Sequence, residues 1–337
     1  LGDVVLPTSA SPAGELVLID RYPNAVLTFF DPESAAVTAQ MSVATGFASN
    51  PQDVFFVSET KAYVSRTETN ANPTDDPDDF DEGGDVLVIN PVTQTILSRI
   101  DMQPYADSLA DAITIPRPVS FVEAGGLVWL ALANLTAEFQ SAGPGTIVGI
   151  NPNTDEVEHL LWIHGLKNCG NLAASTDGLG IWGSCNGLFV GGVEGQKQSS
   201  GLFYVDLGGD EPEVSWTRSG DELVGQVVGF GVVPFTESQA FFVALGQLGD
   251  GAVDDRVMSV NRDTHEVVEV GVSAGAYELG IPYLSLSEML LVPVASNQSP
   301  RIERAKLSGT AELVGETPVD SNPGAGLPPR LIGRFRF

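Results

Sequence analysis

Three sets of residues in this 337-residue chain have types and spacings that could do chemistry. The first is Asp75, Asp76, Asp78, Asp79, Asp81, Glu82 and Asp85, seven carboxylates within eleven positions. Side chains so close repel one another unless water or a cation neutralises them, and Ca²⁺ takes about six to eight such oxygens. The spacing is not that of an EF-hand loop. The readings to be separated are therefore a calcium site, the one cofactor expected here, and a solvated acidic loop. The second set is Cys169 and Cys185, the only cysteines. Their midpoint is Asp177 in the turn Thr176-Asp177-Gly178, so a hairpin there would place them opposite each other, close enough to bond. No companion His or Cys at ligand spacing makes them a metal pair. A disulfide would point to an oxidising compartment: periplasm, cell surface or secreted space. The third set is Gln52, Arg117, Asn168, Asn171, Gln226 and Glu278, polar residues recurring just where successive strand runs begin.

Other patterns carry little. Gly271-Val-Ser273-Ala-Gly275 matches the serine-hydrolase elbow, but no helix follows it. Gly178 to Gly183 matches G-x-G-x-x-G inside a hairpin, without the helix N-terminus that would hold a pyrophosphate. His159 and His164 differ by an odd number along one strand and so face opposite ways. Asn134-Leu135-Thr136 is a glycosylation sequon, meaningful only in a eukaryotic secretory route.

The elements that must position these residues are read from a recurring cassette. Val86-Leu-Val-Ile-Asn90-Pro91-Val92-Thr93 followed by Thr95 to Ile100 is strand, tight turn, strand. Related turns lie at 30–34, 150–154, 205–209 and 260–264, with a degraded copy at 305–309. Upstream of each internal cassette is a two-strand hairpin, such as 54–57 with 62–64 and 119–122 with 127–131. Hairpin plus cassette makes four antiparallel strands, a to d, and their repetition predicts an all-β, six-bladed β-propeller, with seven blades as the runner-up. The predicted blades are 16–44 with 329–337, then 49–103, 115–164, 169–219, 226–273 and 277–320, in a single domain spanning 1–337. The first blade lacks a strand a, which the C-terminal run 329–335 is expected to supply by pairing with Leu16–Ile19 and closing the ring.

In such a fold the b–c and d–a connections share one end of the blades. The b–c connections at 67–85, 133–146, 186–201 and 245–256 are long, whereas a–b and c–d turns are short. Function on rigid scaffolds usually resides in long loops. Phe139, Leu188 and Phe189 lie in them as candidate partner anchors, unless they fold back onto the rim. The polar strand starts would then surround a channel mouth.

Acidic residues number 44 against 16 basic ones, a net charge of −28. This field repels nucleic acid and anionic membranes, which removes both as partners. It also favours solubility. No apolar run is long enough for a transmembrane helix. The chain begins at Leu1 without a leader, as a processed chain would.

The residues Ile89-Asn90-Pro91-Val92-Thr93, Asn50-Pro51 and Ala62-Tyr63-Val64-Ser65 resemble the YVTN/YncE-like family of β-propeller repeats. The resemblance spans most of the chain and is sharpest in blades two, three and five. It implies a periplasmic or cell-surface propeller that binds or builds, and it transfers no catalytic residue. The preferred reading is an extracytoplasmic binding or structural propeller, more readily non-enzymatic, engaging a protein or glycan at the cell envelope through its b–c loops. The alternative is a calcium-dependent hydrolase or lactonase with metal in the channel, similar to gluconolactonase-like propellers, with Glu278, Asn168 and Asn171 as ligands. A third is a subunit of a larger surface assembly. A bound ion would raise the melting midpoint in Ca²⁺ over that in EDTA; an unchanged midpoint leaves the acidic loop simply solvated.

Overall fold

The computed structural model describes residues 3–106, 108–109, 112–285, 289–308, 310–318 and 329–333. Six four-stranded antiparallel sheets, each in sequential strand order, form a six-bladed β-propeller. The chain divides into two compact units, Leu1–Trp162 with Gly333–Phe337 and Ile163–Ile332.

In the first unit, blade one is Val4–Val5, Leu16–Asp20, Val26–Phe30 and Val37–Ser42. Blade two is Pro51–Ser58, Lys61–Thr69, Gly83–Asn90 and Thr95–Asp101, and blade three is Pro118–Ala124, Leu127–Leu132, Gly145–Ile150 and Val157–Ile163. In the second unit, blade four is Cys169–Ala174, Gly180–Asn186, Ser200–Asp206 and Glu213–Ser219. Blade five is Val227–Pro234, Gln239–Leu245, Asp255–Asn261 and Val267–Ala274, and blade six is Tyr283–Leu284, Met289–Val294, Arg301–Ser308 and Thr310–Pro318.

At blade one the structure differs from the expected arrangement. Val4 pairs with Asp20 and Val5 with Ile19, so the N-terminus itself supplies a short strand a. Of the C-terminal run, residues 329–333 carry no strand, and 334–337 lie outside the described residues. Gly333 does come close to Leu6 within this unit. The blade-six turn at 286–288 also lies outside the described residues.

Elements the pattern missed are short. Ser108–Leu109, Ala112–Ile115 and Leu135–Thr136 make a three-stranded sheet that ties the d–a connection before blade three to its b–c loop. Helix α1, Gly192–Ser199, lies in the b–c loop of blade four, and helix α2, Gly220–Val224, lies in the connection to blade five. Ser219 and Glu222 form a capping box at the start of α2.

The cassette turns follow from Asx chemistry. Asp31 Oδ1 accepts from the N–H of Glu33 and Ser34, Asn90 Oδ1 from Val92 and Thr93, and Asn261 Oδ1 from Asp263 and Thr264. Those N–H groups hold the Asp31 carboxyl below its ordinary range. Each turn then ends on a left-handed residue, Ala35, Gln94 or His265, which returns the chain to the ladder.

Period-two alternation builds the cores. Val54 and Phe56 pack in the core between blades one and two, while Phe55 points to the core between blades two and three. In the second unit Phe242 and Ala244 serve the core between blades four and five, and Phe241 and Val243 the core between five and six. At roughly 1.5–3 kcal/mol per fully buried large apolar side chain, these layers are the main stabilising force.

A buried carboxylate crosses the first unit. Asp53 accepts from Thr8 N at 2.8 Å, Thr8 Oγ1 at 2.7 Å, Val54 N at 2.7 Å and Phe121 N at 2.8 Å. Burial outweighs these four donors and pushes its pKa up to about 7. An unfolded aspartate titrates near about 3.9. Between about pH 4 and 7 the folded chain thus keeps a proton that the unfolded chain has released. The Asp53 contribution to stability is full below that window and is lost as pH rises through it, by up to about 4 kcal/mol. In Asp53→Asn this slope is absent. Melting midpoints of both proteins from about pH 4 to 8 check it; parallel curves would contradict the assignment.

Candidate functional site: the b–c loops

The acidic loop of blade two divides into structural and exposed carboxylates. Asp85 is fully buried and grips the equally buried Arg66 through two oxygens, at 2.7 and 2.6 Å, while Arg99 Nε reaches it at 2.9 Å. Arg66 also donates to Phe80 O at 2.7 Å and to Thr45 Oγ1, with the Phe47 ring 5.3 Å away. Asp81 is buried, accepting from Thr74 N at 3.0 Å and Asn70 Nδ2 at 3.3 Å. Glu82 pairs with Arg99 at 3.1 Å. Asp79 accepts from Thr74 Oγ1, and Asp76 caps the short 3₁₀ turn Pro77–Asp79. Asp75 and Asp78 are exposed. Among the described residues no three His, Cys, Asp or Glu side chains are grouped to hold a metal.

In blade three the structure brings together two residues singled out separately in the sequence. The guanidinium of Arg117 lies 3.9 Å from the centre of the Phe139 ring. Arg117 is buried, ion-paired with Glu68 at 2.9 Å and bonded to Ala137 O at 3.2 Å. Phe139 is half exposed, so its ring is fixed on one face and open on the other. Asn134 of the sequon is fully buried, donating to Pro144 O and Thr146 Oγ1, so the folded chain does not offer it for glycosylation.

In the second unit Cys169 pairs in register with Cys185, and the two form the expected disulfide. Leu188 is half buried and its N–H donates to Ser199 Oγ at the end of α1, while the adjacent Phe189 is 65% exposed. Gln196 of α1 donates to Asn186 O at 3.0 Å and fastens the helix to blade four.

The polar strand starts are engaged locally. Gln52 accepts from Arg21 and donates to Asn50 in the first unit. In the second, Asn168 donates to Gly187 O, while Gln226 donates to Leu245 O and Asp254 O and accepts from Arg256. Glu278 packs beside Gly275, and Asn171 lies in the first strand of blade four, half exposed. Ser273 sits in a β-strand opposite Arg256, and His159 stacks on Trp129 at 5.9 Å. Sequence reasoning missed Arg66, Asp53 and Asp255. A charged residue within an apolar strand was the available signal for the first.

No protein-family model matches the chain, and no curated protein is similar to it in sequence. Solved structures are similar in fold. A Kuenenia stuttgartiensis hydrazine synthase chain has a TM-score of 0.60 at 12% identity, covering 94% of this chain and 88% of that one. A Bacteroides fragilis protein provisionally assigned as a 6-phosphogluconolactonase has a TM-score of 0.59 at 11% identity, covering 94% and 84%. A chain of a mitotic checkpoint complex has a TM-score of 0.59 at 10% identity, covering 94% and 81%. At these identities the likeness is one of fold, and the neighbours' functions are diverse.

Removing one partner of a fully buried ion pair typically costs about 3–5 kcal/mol, whereas a partly exposed partner costs about 1. Arg66→Ala is therefore expected to lose far more stability than Arg99→Ala in urea unfolding, and to speed amide exchange across residues 70–85. Equal losses would show that the buried pair is not what anchors the loop.

Proposed function

We propose that this protein is a non-enzymatic binding propeller that acts outside the cytoplasm and engages a protein or glycan through its b–c loops. The observation that carries the reading is the contrast between loop base and loop tip. Phe139 is stacked on a buried arginine yet half exposed, and Phe189 is exposed beside a hydrogen-bonded Leu188. Fixed, solvent-facing aromatic side chains suit recognition, because little conformational entropy remains to be lost on binding. The disulfide supports an oxidising compartment. No helix among the described residues is long and apolar enough to cross a membrane.

The reading is tested by placing a photo-crosslinking amino acid at Phe139, at Phe189, or at Val92 and Thr264 in c–d turns. The protein is then irradiated in an envelope extract of its source. Adducts are expected from the loop positions and not from the turns. Adducts equal at all positions, or none at the loops, would overturn the proposal.

A further inference from the structure

The loop rim of the second unit carries more exposed apolar surface than its fold needs. Phe189 is 65% exposed, Leu248 69% and Tyr277 44%. They are linked through one continuous set of contacts. Helix α1, next to Phe189, packs on α2. Gln226, just after α2, bonds Leu245 O and Asp254 O at the two ends of the loop that carries Leu248. Asp255, which closes that loop, accepts from Gly246 N at 2.6 Å, Tyr277 N at 2.9 Å and Leu279 N at 2.9 Å. The main chain is thus pinned by buried polar groups while the apolar side chains stand in water. An exposed apolar set held on a rigid base marks an interaction surface more often than a defect of packing.

The charge around these anchors selects the partner. Asp221, Asp250 and Asp254 are exposed on the same stretch and make no ion pair among the described residues. Of the nearby cations, Lys197 is paired with Glu194 and Arg256 with Glu269, while Arg330 keeps its charge beside Tyr277, donating to its carbonyl oxygen. Apolar anchors set among uncompensated carboxylates complement apolar side chains flanked by Lys or Arg, and repel an acidic or anionic ligand.

We propose that the rim bearing Phe189, Leu248 and Tyr277 docks a basic, apolar segment of a partner protein. This rests on the binding-propeller reading and narrows it to one partner chemistry and one part of the loops.

The test is selection from a random 12-residue phage-displayed peptide library on the immobilised full chain, beside Phe189→Ser/Leu248→Ser, Asp250→Asn/Asp254→Asn and Val92→Ser. Circular dichroism and melting confirm that each variant is folded. The wild type is expected to enrich peptides that combine Lys or Arg with Phe, Leu or Trp. Those peptides should bind the Phe189/Leu248 variant at least about tenfold more weakly, as loss of interface anchors does. The Asp250/Asp254 variant should show a shallower salt dependence, and Val92→Ser, in a c–d turn, should bind as the wild type does. No enrichment, enrichment without basic residues, or binding to the Phe189/Leu248 variant within twofold of the wild type would overturn the proposal. Crosslinks at Phe139 without those peptides would leave the binding-propeller reading standing and remove this inference alone.

Discussion

The first strand of blades two to five breaks register near its start, and the rest of the structure depends on how that break is satisfied. The shifts fall between Pro51 and Asp53, Pro118 and Phe121, Cys169 and Asn171, and Val228 and Val232. A bulge leaves backbone groups without ladder partners, and buried groups so left cost on the order of 1–3 kcal/mol each. Within each unit the preceding blade supplies what is missing. Asp53 takes the N–H of Phe121, and Ser65 Oγ donates to Val119 O at 2.7 Å. Ser200 Oγ takes the N–H of Val228 at 3.1 Å. Asp255 takes those of Tyr277 and Leu279. Apolar layers drive the blades together, but these directional bonds fix where each blade meets the next.

That division of labour explains how so acidic a chain folds. Asp53, Asp85 and Asp255 are buried and held, Asp53 and Asp255 by backbone N–H groups, Asp53 also by the Thr8 hydroxyl, and Asp85 by the Arg66 guanidinium. Asp75, Asp78, Asp221, Asp250 and Asp254 remain in water at the loops. The same residue type serves as internal staple and as surface charge, and only the presence of donors within reach separates the two roles.

The sequence disclosed what is periodic and local. The Asn90 and Asn261 turns, the hairpin register that joins Cys169 to Cys185, and the alternation of Val54, Phe55 and Phe56 depend on neighbours in the chain, so pattern alone predicted them. What it concealed is long-range. Nothing in the spacing of Asp81 and Asp85 distinguishes them from Asp75 and Asp78, because the difference lies in Asn70, Thr74 and Arg66 folding back to meet them. Arg117 and Phe139 were singled out for unrelated reasons, and only the bend of the third-blade loop stacks them. The two-residue strand Val4–Val5 is too short to register as a strand in the pattern, so the longer C-terminal run was the one expected in its place.

The four long b–c loops share a design that no single residue type reveals. Each leaves its blade beside a closed base, and the closure differs in chemistry. In blade two it is the Arg66–Asp85 ion pair, and in blade three the amide of Asn134 bonded to Pro144 O and Thr146 Oγ1. In blade four it is the amide of Gln196 on Asn186 O, while the disulfide ties the strand entering the loop to the first strand of the blade. In blade five it is the Asp255 carboxylate on Gly246 N. An ion pair, side-chain amides and a carboxylate have little in common except that each survives burial at the point where the chain leaves or rejoins the blade. If the loops merely joined strands, there would be no reason for every base to be clamped in this way, since long connections cost little more than short ones in chain entropy. Clamped bases with exposed apolar tips, as at Phe139, Phe189 and Leu248, suit the binding role proposed above. A tip can then vary in sequence without disturbing the blade, and the blade can hold that tip still while something binds it.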